Sequence, residues 1–213
     1  QTLDGRLATR SGSSQWIGGP ESLRLAHELR ASHDAIMVGV GTVLADDPRL
    51  TVRLVPGRDP LRVVVDSRLR LPLDAAVLRD GAGAGTLVAC LEGVEPARRA
   101  AVAATGATLL ELPPDARGGV DLRTLLAALH ARGVHSLMVE GGARLITSLL
   151  RAGLVDRVVV CIAPKILGEG ISAVGDLGID RLSDALALEG ARVTPCGGDF
   201  IFDATLRVPS PPG

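Results

Sequence analysis

Short, unbroken apolar runs recur along this chain, and between them lie segments whose apolar residues repeat at helical spacing. DAIMVGV (34–40), LRVVVD (61–66), TLVACL (86–91), ATLLEL (107–112), HSLMVE (135–140) and DRVVVCIAP (156–164) lack the polar–apolar alternation of a strand with one wet face. Such runs fit strands covered on both sides. EPARRAAVAAT (95–105), DLRTLLAALHARG (121–133) and GARLITSLLRAG (142–153) have helical periodicity. Pro20 opens a further helix expected to run to Ser32, since proline is tolerated in a first turn. Strands alternating with helices give βαβ units and a mainly parallel central sheet flanked by helices, an α/β fold. The tail differs. LALEGARVTPC and GDFIFDATLRV read as two strands around a Gly-Gly turn, an antiparallel hairpin expected to close the sheet at its edge. Residues 5–19, rich in Gly and Ser, read as a loop.

Charge and cysteine usage narrow the function classes. Lys+Arg is 23 and Asp+Glu is 24, a net charge of −1, which leaves no basic footprint for nucleic acid or an anionic membrane. The longest apolar run, 35–45, is well short of the ~20 residues that span a bilayer. Cys90, Cys161 and Cys196 are too scattered for a disulfide framework or a metal knuckle and suit the reducing cytoplasm. His27, His33, His130 and His135 have no metal-ligand spacing, so solvated or internally satisfied histidines and no bound metal are expected. G-x-S-x-G, H-E-x-x-H, Walker A and zinc-deaminase signatures do not occur, which leaves hydrolase, zinc-protease, P-loop and deaminase chemistry without support. At 213 residues the chain can bury a substantial core and reads as a single domain over 1–213.

Two turns could carry chemistry. In MVEGGARLITSLL (138–150) a strand delivers Glu140, the chain turns on Gly141-Gly142, and a helix begins at once. Free N–H groups at a helix start attract a phosphate, and glycines let it approach. The third glycine of G-x-G-x-x-G is absent, and a tight βα turn with no ligand satisfies the same spacing. In GVGTVLADDPRLTVR (39–53) a strand leads through Gly41-Thr42 into one helical turn, Val43–Ala45, which Asp47-Pro48 ends. Asp46 and Asp47 either cap and solvate that turn, or join Arg49 and Arg53 around a ligand carrying hydroxyls and a phosphate.

Taken together, TLDGRLATRSGSSQWIGGP, GTVLADDPRLTVR, LRVVVDSRLRLP, MVEGGARLITSLLRAGLVDRVVV and IAPKILGEG resemble the reductase domain of bacterial riboflavin biosynthesis proteins, whose fold is similar to dihydrofolate reductase. The resemblance runs from Thr2 to about Gly170. It implies NADPH as cofactor and a phosphorylated ribosylaminopyrimidine as substrate, with hydride delivered to C1′ of the ring-opened sugar to give a ribitylamino product. By the same resemblance Trp16, Thr42, Asp46, Ser67 and the turn and helix start Gly142, Ala143, Arg144, Leu145, Ile146, Thr147 and Ser148 would bind the cofactor. Ser14, Arg30, Leu50, Arg53 and Glu140 would bind substrate, with Arg53 on its phosphate and Glu140 as the catalytic candidate. A homodimer is implied as well. The family carries a strand before the LDG motif, whereas this sequence starts at Gln1 with no deaminase ahead of it, so that first strand is expected to be missing. The implied substrate is 5-amino-6-(5-phosphoribosylamino)uracil. The diaminopyrimidinone precursor, a pterin or dihydrofolate, another pathway's pyrimidine, or a non-catalytic nucleotide-binding domain are the alternatives.

Overall fold

The computed structural model describes residues 1–15, 17–79 and 82–207. They form two compact units, residues 1–25 with 143–213 and residues 26–142, the boundary falling within the first helix, α1 (Pro20–Ser32).

The second unit holds a five-stranded, wholly parallel sheet. Its strands are β2 (Ala35–Gly39), β3 (Leu61–Val65), β4 (Thr86–Leu91), β5 (Thr108–Leu112) and β6 (Leu137–Val139), in spatial order β5-β4-β3-β2-β6. Ala35, Ile36, Met37 and Val38 are all fully buried. That explains the missing alternation, because a strand apolar on both faces needs cover on both. The connections include α2 (Val40–Asp46), α3 (Pro96–Ala103) and α4 (Leu122–His130). Asp121 caps α4 by accepting from the Thr124 N–H at 2.7 Å, a typical N-cap bond. Val38, Val43, Val64, Leu69, Leu71, Val77 and Val88 belong to one apolar cluster.

The first unit contains β1 (Arg6–Thr9), the helix α5 (Ala143–Arg151), β7 (Arg157–Ile162), β8 (Gly170–Ser172), β9 (Leu188–Cys196) and β10 (Asp199–Leu206). The Gly-Gly hairpin forms as expected, but its partner corrects the sequence reading. β10 pairs antiparallel with β7 in a three-stranded sheet of order β7-β10-β9. DRVVVCIAP therefore does not continue the parallel series; an apolar run reports burial and says nothing of strand direction. Residues 5–19 are likewise not all loop, since RLAT forms β1 and pairs antiparallel with β8. A Cβ on Gly170 would lie 2.3 Å from the Ala8 carbonyl oxygen, so that pairing requires glycine. The turn expected at Val43–Ala45 is the seven-residue α2. Among the described residues no helix is long and apolar enough to cross a membrane.

Candidate active site

The strand order creates a switch point. From β2 the chain adds β3, β4 and β5 on one side, then returns to put β6 on the other. In open α/β sheets the crevice beyond the strand C-termini at such a point receives ligands. Thr42 of α2 follows β2 there, and Gly141 and Gly142 follow β6. Both glycines have left-handed backbones, φ 56° and 78°. A Cβ on Gly142 would also stand 3.0 Å from Thr42 Oγ1. Bare backbone beside a hydroxyl, at a point where a helix begins, fits an anionic group such as a dinucleotide phosphate.

Within α5 the expected contacts divide. Leu145 and Thr147 are buried, and the Thr147 hydroxyl donates to the Ala143 carbonyl at 2.6 Å while accepting from the Gly175 N–H at 2.8 Å. Those two side chains are committed to the protein, so residues 142–145 offer chiefly their N–H groups, which a helix leaves unsatisfied in its first turn. Arg144 is exposed; Ala143, Ile146 and Ser148 are half-buried.

A second set of residues converges around Thr51. Arg30 Nε and Nη2 each donate to one oxygen of Glu140 at 2.6 Å, a two-pronged ion pair, and Arg30 Nη1 donates to the Thr51 carbonyl at 3.1 Å. Arg53 Nη1 donates to Thr51 Oγ1 at 2.5 Å. The Arg53 backbone N–H donates to Nδ1 of His27 at 3.0 Å. Burial first, then the Arg30 and Arg49 guanidiniums, lower the proton affinity of Arg53. Like charges held together are destabilising alone and favourable once an anion joins them. Both Glu140 oxygens accept from Arg30, which fixes the orientation of the carboxylate and leaves it further lone pairs to offer a ligand.

The remaining candidates are dispersed. Asp46 is exposed at the last position of α2. Asp47, in a left-handed conformation, accepts from the Ala76 N–H at 2.7 Å and from Arg79 at 2.8 Å, so it anchors a loop. The Leu50 side chain belongs to the apolar cluster and the residue is 2% exposed, so a ligand would meet its backbone, which holds φ 55°. That left-handed kink in a non-glycine residue costs of order 1–3 kcal/mol and turns the chain between Arg49 and Thr51. Ser67 borders a cleft of about 360 Å³ with Arg68, Glu92, Gly93, Glu95 and Arg98, beyond the ends of β3 and β4. Ser14 is half-buried and its carbonyl accepts from the Ile17 N–H at 3.1 Å. The Ile17 carbonyl accepts from Lys165 Nζ at 2.9 Å, and Asp199 takes the Gly19 N–H at 2.7 Å, which pins this loop. Trp16 lies outside the described residues.

The sequence reading grouped His27 with solvated or internally satisfied histidines and gave it no part in the site. The spacing His27–Arg30, three residues apart on a helix, was the available signal, because such residues share a face. His27 is 1% exposed. Burial, with the Arg30 and Arg53 charges, pushes its proton affinity below the ordinary imidazole value, against an opposing pull from Glu140. The unfolded chain therefore takes up this proton near pH 6.5 while the folded chain does not until lower pH, so stability falls as pH drops below about 6.5. Above that pH the group adds no slope. Urea unfolding at about pH 7.5 and 5.5 should show a smaller acid loss in His27→Asn than in the unaltered protein.

Comparison with known proteins agrees with this frame. The RibD C-terminal domain family model matches residues 1–202. A protein of Methanothermobacter thermautotrophicus named 2,5-diamino-6-ribosylamino-4(3H)-pyrimidinone 5′-phosphate reductase is 46% identical over 97% of this chain and 94% of its own length. The solved structure of Acinetobacter baumannii RibD aligns with a TM-score of 0.82 and 30% identity over 97% of this chain and 56% of that one, so the chain spans about half of that relative. Dihydrofolate reductase from Enterococcus faecalis aligns with a TM-score of 0.52 at 13% identity, over 98% of this chain and 93% of that one, a likeness of fold alone. The chain belongs to the RibD C-terminal domain family, among relatives named as reductases and as riboflavin biosynthesis proteins.

Proposed function

We propose that residues 1–213 act as one reductase domain that uses NADPH to convert the ribosylamino side chain of a 5′-phosphorylated pyrimidine to a ribitylamino group. The observation that carries this reading is the cationic cluster Arg30, Arg49 and Arg53 set beside Glu140, a polar constellation suited to a phosphorylated sugar. Thr42, Gly141 and Gly142 would receive a cofactor phosphate, with Ser67 and its cleft toward the adenosine end, Asp46 on a cofactor hydroxyl, and Ser14 and Trp16 as further contacts. Bound there, the nicotinamide supplies a hydride.

Arg53 would hold the substrate phosphate as a fork of charge-assisted bonds. Glu140, oriented by Arg30, would use its remaining lone pairs to hold a hydroxyl or the amino nitrogen of the opened sugar, so that C1′ faces the hydride and the nitrogen takes its proton from water. Leu50 contributes by the kink in its backbone. Misplacing the reacting carbon by about 1 Å can cost ~10²-fold. Glu140→Gln should therefore lower kcat by up to about 10²-fold while shifting the NADPH Kd little; an unchanged kcat would remove Glu140 from the reaction.

The base of the substrate admits two readings. The family resemblance implies 5-amino-6-(5-phosphoribosylamino)uracil, whereas the Methanothermobacter relative, matched almost end to end, is named for the diaminopyrimidinone. NADPH oxidation measured with each compound side by side tests both; turnover of neither would overturn the reductase reading. The three free thiols suit a cytoplasmic setting. β9, exposed along nearly all its length at the edge of its sheet, would serve a homodimer.

A further inference from the structure

Among the buried titratable groups that the mechanism proposed above leaves unused, His27 sits against the proposed phosphate ligand. His27 accepts the Arg53 backbone N–H through Nδ1 at 3.0 Å, and its imidazole is 1% exposed. The bond fixes the tautomer, because an accepting Nδ1 leaves the proton of a neutral imidazole on Nε2. On the next turn of α1, Arg30 is bonded to both Glu140 and Thr51. Two side chains of one helix face thus hold one short segment, His27 at Arg53 and Arg30 at Thr51. The charged groups that face His27 are Arg30 from α1, Arg53 from the 47–60 loop and Glu140 from the end of β6.

We propose that His27 is a positioning residue for the substrate phosphate: its neutral imidazole holds the Arg53 backbone in the geometry that binds phosphate, and its protonation releases that segment. The proposal rests on the reading of Arg53 as phosphate ligand. A protonated Nδ1 would set one N–H against another at 3.0 Å, so the bond is lost and a buried donor is stranded. An imidazolium would also attract a phosphate through space, which acts in the opposite sense. The contact at 3.0 Å is direct, whereas the attraction acts from beyond the Arg53 backbone and past two guanidiniums, so loss of the bond dominates. Phosphate recognition accordingly weakens in mild acid, in the pH range where an imidazole whose charged form is disfavoured by burial and by two cations begins to titrate.

The test uses the whole chain with whichever of the two phosphoribosylamino compounds it turns over. His27→Leu removes the acceptor. It should raise KM for that compound about tenfold, with kcat and the NADPH Kd nearly unchanged. His27→Asn puts an oxygen close to the position of Nδ1 and cannot titrate. It should restore KM near pH 7.5 and remove the histidine's share of the acid rise. Because a phosphate monoester titrates in the same range, the quantity to read is the ratio of KM in the unaltered protein to KM in His27→Asn, from about pH 7.5 to 5.5. A ratio that grows as pH falls supports the proposal; a constant or falling ratio overturns it. If Arg53→Ala leaves KM unchanged, the phosphate reading of Arg53 fails and this proposal with it. If Arg53→Ala raises KM while His27→Leu does not, only the role of His27 is overturned.

Discussion

Arg30→Leu is expected to lower the melting temperature by about 6–12 °C and to reduce turnover as well. Its side chain is 11% and that of Glu140 20% exposed, so the pair is largely shielded from solvent. Removing one partner of a buried ion pair costs about 3–5 kcal/mol, because the other charge is left uncompensated. The residual exposure argues for about 3 kcal/mol, and a chain of this size loses ~2–4 °C per kcal/mol. The double variant Arg30→Leu with Glu140→Leu leaves neither charge stranded, so it should recover part of the loss. Turnover should not recover, since Glu140 is the group that Arg30 orients. Thermal melts of the single and double variants, read beside kcat, separate the two roles. A single-variant loss below about 1 kcal/mol would show that the pair behaves as a surface salt bridge.

Arg53→Ala should do the reverse, a large kinetic effect with little loss of stability. Hydrogen bonds to charged groups are worth about 1.5–3 kcal/mol, so KM for the phosphorylated substrate should rise about 10–100-fold while the NADPH Kd stays put. Arg53 is exposed, so the opposing effects of Arg30 and Arg49 and the favourable one of Asp59 are screened by solvent, and the melting temperature should change little. Equal losses in substrate and NADPH binding would instead assign Arg53 to the fold or to the cofactor.

The parts legible in the sequence are those where burial alone dictates residue type. β2, β3 and β4 are nearly or wholly buried, and each appears as an apolar run. α4 carries its cap, Asp121, in plain view. What escaped depends on pairing and on distant partners. β1 and β8, four and three residues long, are too short for periodicity to register. β7 shows the same apolar character as the parallel strands, yet it pairs antiparallel with β10.

The site divides the same way. Glu140 and the Gly141-Gly142 turn stand out because strand end, glycine pair and helix start follow in order, whereas the two-pronged bond from Arg30 spans 110 positions. Leu50 was expected to face a ligand; only the folded chain reveals that its side chain belongs to the core and its backbone carries the bend. Nor does spacing distinguish Asp46, exposed, from Asp47, which is bonded to Ala76 and Arg79.

The proposed reaction turns on hydride delivery to C1′ of a phosphorylated, ring-opened ribosylamine. The most direct measurement supplies NADPH carrying deuterium at the transferable C4 position and follows the product by mass and carbon NMR. One deuterium, located at C1′ of a ribitylamino product and matched one for one by NADPH oxidised, is the predicted result. Oxidation of NADPH with no deuterium in the product, or with the label on the pyrimidine ring, would contradict it.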